Sequence, residues 1–158
     1  MKKVLIVSPK FPYPSYGACE LDRAAGIEVF IDLGYKVYVV TKVYTEEYKK
    51  TVREVSEKLG ITIVPVVYKY LRLSLHQKII NGFKRLIRPL YLDGAAFEYN
   101  EPEIRAEVQL ALNLFQPDVV WFDYTYLWPL YDMVRKKKIP IITRSINFEP
   151  IHFLEEDG

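Results

Sequence analysis

At 158 residues the chain has the length of one domain, enough to bury a full hydrophobic core and too short for two large ones. Its 50% apolar and 27% charged content excludes general disorder, and a net charge of +2 from 22 basic and 20 acidic side chains gives no bulk argument for a nucleic-acid partner. One cysteine, Cys19, excludes an internal disulfide and a cysteine-based metal knuckle and fits a reducing cytoplasm.

In chain order, Met1-Lys2-Lys3 before Val4-Leu5-Ile6-Val7 starts like a signal peptide, but Pro9, Lys10 and Pro12 end the apolar run too early. Residues 3–8 read instead as a first strand. Further runs rich in β-branched or aromatic residues at 36–41, 62–67, 119–123 and 139–143 read as buried strands. Helical patterns separate them. Residues 18–33 form a first helix closed by Gly34 and, with apolar residues spread around it, expected to be substantially buried. Residues 46–59 form a charged, solvent-facing helix closed by Gly60. A third helix covers 103–115, opened by Glu101-Pro102 and stopped before Pro117, and a shorter one runs over 129–137. The alternation predicts a single α/β domain, a doubly wound, Rossmann-like parallel sheet in the order 3-2-1-4-5.

Residues 75–88 are different. At about 100° per residue, Leu75, Ile79, Ile80, Phe83, Leu86 and Ile87 share one arc, while Lys78, Lys84, Arg85 and Arg88 lie opposite. No acidic residue occurs between Tyr68 and Leu92. The stretch reads either as a helix packing its apolar arc on the sheet or as a basic, membrane-surface helix. Nowhere does the chain approach the roughly 20 apolar residues of a membrane-spanning helix, so any membrane contact is peripheral.

Ligands of an open doubly wound sheet bind beyond the carboxyl ends of its strands. After the first strand, a proline-stiffened loop delivers Gly17 and Ala18 to a helix amino terminus, where unpaired amides and the helix dipole favour an anion. The same loop reads equally as a stiff connection. It lacks three spaced glycines and a Gly-Lys-Ser/Thr turn, which removes support for ordinary dinucleotide binding and P-loop hydrolysis. After the fourth strand, Asp123 and Tyr124 stand among hydroxyls and aromatics suited to sugar faces, or else serve as a capping carboxylate with aromatics packed beneath. After the fifth, Arg144, Asn147 and Glu149 are candidates for a hydroxylated or anionic ligand, with an Arg144–Glu149 ion pair as the structural alternative. The tail Glu155-Glu156-Asp157 reads as a solvated charge run. With His76 and His152 far apart, no metal site is expected. Cys19, near a helix start, reads as a small core-facing residue rather than a nucleophile.

Taken in order, Val4-Leu5-Ile6-Val7, the prolines, Gly17-Ala18-x-Glu20, Leu33-Gly34-Tyr35-Lys36-Val37, Pro117-Asp118-Val119-Val120-Trp121 and Thr143-Arg144-Ser145-Ile146-Asn147-Phe148-Glu149 resemble the amino-terminal half of retaining GT-B glycosyltransferases of the glycosyltransferase-4 type. The likeness spans nearly the whole chain, carried by order and spacing. It departs where Ala18 replaces a second glycine, Tyr35 the histidine of Gly-His, and Ile146 a histidine before Asn147. The resemblance implies one half of a GT-B architecture: an acceptor-side domain of a hexosyltransferase-type enzyme, needing no cofactor. A nucleotide-sugar donor would be held mainly by a second domain, and the acceptor would be a glycan or lipid-linked. Gly17 and Ala18 would approach the donor diphosphate or acceptor, Glu20 would be among the substrate-binding residues, and Asn147 and Glu149 would line the cleft. Because the donor-binding domain lies outside residues 1–158, the chain is expected to be inactive alone. It is expected in the cytoplasm, at the inner membrane face if Lys78, Lys84, Arg85 and Arg88 meet lipid. A stand-alone sugar- or anion-binding module with the same fold is the alternative.

Overall fold

A computed structural model describes residues 1–69, 74–87, 96 and 99–144 of the chain, without the side chain of Arg85. Its framework is a five-stranded sheet: β1 (Lys3–Ser8), β2 (Lys36–Val43), β3 (Thr62–Val67), β4 (Val119–Phe122) and β5 (Ile141–Thr143). The strands lie in the order β3-β2-β1-β4-β5 and every pairing is parallel. This is the Rossmann-like α/β arrangement that the sequence pattern predicts.

Alternating side chains on β1 build two cores, because successive residues of a strand face opposite ways. Leu5 and Val7 join one with Val120, Phe122 and Ile104. Val4 and Ile6 join the other with Val37, Val39 and Val52. Helices α1 (Ala18–Asp32) and α2 (Tyr48–Leu59) cover the second face, with Ile27 and Val52 inside that core. The first face is covered by α4 (Pro102–Leu114) and by a 3-10 turn over Thr125–Leu130 that continues into α5 (Tyr131–Arg135). Between β3 and α4 lies α3 (Leu75–Ile87).

Local chemistry explains the ends of these elements. Gly34 and Gly60 adopt φ of 74° and 65° after α1 and α2, a left-handed conformation that costs glycine little. Tyr35 N–H then reaches back to the Phe30 carbonyl at 3.0 Å, and Ile61 N–H to the Ser56 carbonyl at 3.2 Å. Pro65 stands in β3, an edge strand whose outer side needs no ladder donor.

Four expectations need correction. Helix α1 buries only Arg23, Ala24 and Ile27, leaving Leu21 and Val29 exposed, because it lies across one face of the sheet with nothing described outside it. Cys19 is exposed rather than core-facing. The helix expected over residues 129–137 is shorter, since Pro129 falls within the preceding 3-10 turn, where its missing N–H is tolerated. The edge strand β5 is also not buried: Ile142 and Thr143 are exposed.

Phe122, with no exposure, fills the core beneath α5. Phe122→Ala should lower unfolding free energy by about 3–5 kcal/mol in urea titration. Gly60→Ala should lower it by only about 1 kcal/mol, since a Cβ there meets nothing within 4 Å and only the positive φ resists it.

Candidate functional site

The chain leaves β1 toward α1 on one face and leaves β4 toward α5 on the other. The carboxyl edge between these neighbours is therefore the topological switch point, where such sheets form their crevice. Here that crevice is filled from within. Asp123, buried just past β4, accepts from Ser8 Oγ at 3.0 Å and from Arg144 Nη2 at 2.5 Å. Arg23 Nε of α1, only 8% exposed, stands 3.0 Å from the same carboxylate. Arg144 Nη1 also donates to Asp22 Oδ2 at 2.6 Å. Two guanidinium groups thus face two carboxylates. Burial pushes the Asp123 carboxyl above the ordinary aspartate value, while Arg144 and Arg23 pull against that shift. The remaining void, beside Ser8, Arg23 and Asp123, measures about 10 Å³, at the lower limit for a single water.

Open space lies one strand over. Beyond the carboxyl ends of β1 and β2 is a cleft of about 440 Å³, walled by Phe11, Tyr13, Tyr16, Tyr44 and Tyr48 and carrying Lys10, Glu20 and Lys42. The two loops forming it are tied by Phe11 N–H donating to the Lys42 carbonyl at 2.9 Å. Phe11 and Tyr13 pack with ring centroids 5.6 Å apart, and the Lys10 ammonium lies 5.8 Å above the Tyr44 ring. At the mouth, Glu20 folds its carboxylate back over Gly17 and pairs with Lys10. Those contacts, first the Lys10 hydrogen bond and then its own backbone amide, hold Glu20 below the ordinary glutamate value of 4.5. Lys10 is raised above 10.5 chiefly by the same bond. The start of α1 expected to receive an anion is thus covered by the chain's own carboxylate.

Lys42 forms the floor of the cleft. It is 2% exposed, 2.8 Å from Glu101 Oε2, and its ammonium lies 4.6 Å and 4.9 Å from the Tyr68 and Tyr99 ring centres. From there a row of stacked rings runs along the edge: Tyr68 on Tyr99 at 5.9 Å, Tyr99 on Tyr126 at 5.1 Å, Tyr126 on Tyr124 at 4.7 Å. Arg23 closes it, 5.2 Å above Tyr124. Burial raises the Tyr126 hydroxyl above the ordinary tyrosine value.

Of the residues singled out in the sequence, Asp123, Tyr124 and Arg144 meet at the switch point, and Gly17 and Glu20 border the cleft. Ala18 is exposed in the first turn of α1. Arg144 pairs with Asp22 and Asp123. Asn147, Glu149 and Arg88 lie outside the described residues, as does the side chain of Arg85. Sequence reasoning missed Ser8, Asp22, Arg23 and Lys42. Arg23 had a signal, since it lies four residues before Ile27 on the buried stripe of α1. Lys42 had another, as it continues the inward alternation of Tyr38 and Val40. Among the described residues, no group of three His, Cys, Asp or Glu side chains is placed to hold a metal ion.

Removing the central carboxylate strands Arg23 in the interior. Asp123→Ala should destabilise the fold by about 3–5 kcal/mol; Asp22→Ala, at a partner that is 53% exposed, should cost under about 1 kcal/mol, both read by urea denaturation. The Lys10–Glu20 pair stabilises the start of α1 fully above the ordinary glutamate value of 4.5 and loses that contribution as pH falls through the lower folded value. In a carboxyl NMR titration Glu20 should titrate below 4.5, and Lys10→Met should move it back up.

Compared with known proteins, the chain matches no protein-family model and no curated sequence significantly. The chemistry of the cleft therefore rests on its own residues.

Proposed function

We propose that this domain is the acceptor-binding, amino-terminal half of a cytoplasmic GT-B glycosyltransferase of the glycosyltransferase-4 type. It would present a glycan or lipid-linked acceptor to a nucleotide-sugar held mainly by a second domain, and would not complete transfer alone. The observation that carries this reading is the cleft of about 440 Å³ beyond β1 and β2. Its size is that of a small-ligand site. Its aromatic walls suit the apolar faces of pyranose rings, and Lys10 and Glu20 supply a donor and an acceptor for ring hydroxyls.

The rest of the edge is consistent with half a site. The switch point is closed by its ion cluster, and the cleft presents bonding groups without an arranged nucleophile and base. Positioning, followed by electrostatic stabilisation of the departing diphosphate by groups of the closed two-domain enzyme, is the chemistry such a half-site serves.

NMR titration of the 158-residue chain tests this. Oligosaccharide or sugar-phosphate acceptors should shift the resonances of Lys10, Tyr16 and Tyr44, and nucleotide-sugars alone should not bind. Tyr44→Ala should weaken acceptor binding about three- to tenfold. Tight nucleotide-sugar binding by this chain, or no response to any saccharide, would remove the proposal.

A further inference from the structure

Helix α3 is built to stand by itself. Ser74 and Gln77 cap its start reciprocally: the Ser74 amide donates to Gln77 Oε1 at 3.0 Å and the Gln77 amide to Ser74 Oγ at 3.3 Å, a capping box that fixes the first turn locally. Its apolar arc packs on nothing described. Leu75, Ile79, Ile80, Phe83, Leu86 and Ile87 are all exposed, from 41% at Ile80 to 81% at Leu86, and none belongs to either core. The expectation that this arc lies on the sheet is therefore overturned.

Charge identifies what fits there. The helix carries no acidic residue. Lys78 and Lys84 are exposed, and at about 100° per residue they fall on either side of an arc about 140° wide that is apolar apart from His76. A surface that is apolar in its depth and anionic at its margin matches that pattern, whereas a plain apolar groove leaves the flanking cations unused. We propose that α3 is a membrane-docking helix that lies in the interface of a bilayer containing anionic phospholipid, its apolar arc among the upper acyl chains and Lys78 and Lys84 on headgroup phosphates. This goes beyond the acceptor reading and does not depend on it.

Co-sedimentation of the chain with vesicles of phosphatidylglycerol and phosphatidylcholine, against phosphatidylcholine alone, decides it. The chain should bind the mixed vesicles, more weakly as salt rises. The charge reversal K78E/K84E should reduce that binding about tenfold or more, and F83E/L86E should reduce it about thirtyfold or more. The reversal K49E/K50E on α2, with the same change in net charge, should leave it unchanged. All six side chains altered are exposed, so thermal melting should match the parent and separate lost docking from lost folding. No binding to anionic vesicles overturns the proposal. So does equal loss from the α2 control, or a dimer in sedimentation velocity that F83E/L86E dissolves, which would assign the arc to a second copy. Saccharide titration of F83E/L86E separates the two readings, since the β1–β2 cleft should still respond when vesicle binding is gone.

Discussion

Asp123 ties together the elements at the carboxyl edge of this sheet. Its backbone N–H donates to the Val7 carbonyl at 2.9 Å, continuing the β1–β4 ladder by one step, and its side chain then gathers Ser8 from β1, Arg23 from α1 and Arg144 from beyond β5. Such a buried cluster adds little net stability compared with an apolar filling. Its effect is directional. A fork of guanidinium groups has narrow angular tolerance, so the cluster fixes where α1 begins relative to β1 and hence the span that residues 9–17 must bridge.

That constraint divides the edge into a closed part and an open part. At the switch point, where a doubly wound sheet ordinarily opens, Arg23 and Arg144 fill the crevice. The accessible space moves to the β1–β2 side, where Pro9, Pro12 and Pro14 stiffen the loop and hold Phe11 and Tyr13 against the body of the domain. The Lys42–Glu101 pair supports it from below, with the stacked tyrosines carrying the wall from β3 round to Arg23. A ligand in the cleft would meet polar groups already in place, so little ordering would accompany binding.

How much of this could be read from the sequence depended on the range of the interactions concerned. Strands β1, β2 and β3, the strand order and the glycine stops at 34 and 60 follow from local pattern and were legible. So was the placing of Asp123, Arg144, Gly17 and Glu20 at one end of the sheet, which topology alone dictates. Their partners were not. The pairing of Arg144 with Asp22 spans 122 positions and that of Lys42 with Glu101 spans 59, and nothing in a one-dimensional pattern chooses among many acids of equal charge. The Glu20 carboxylate over Gly17 was hidden for the opposite reason. Glycine and glutamate three residues apart at a helix start resemble both an anion site and a filled one, and only the side-chain conformation distinguishes them.

The exposure of α3 sets it apart from the other described helices, each of which contributes to one of the two cores. Five strands at about 4.8 Å spacing make a sheet about 24 Å wide, and two helices of about 10 Å diameter side by side nearly cover one face. Helices α1 and α2 take one face, and α4 and α5 take the other. In the β3-to-α4 crossover, α3 contributes to neither core among the described residues, so its amphipathic pattern is not satisfied by them. Helical periodicity states that an apolar arc needs a partner and leaves open whether that partner is the same domain. Here the six apolar side chains of the arc are exposed and belong to neither core of the described residues, and the cations beside the arc make an anionic surface the proposed partner.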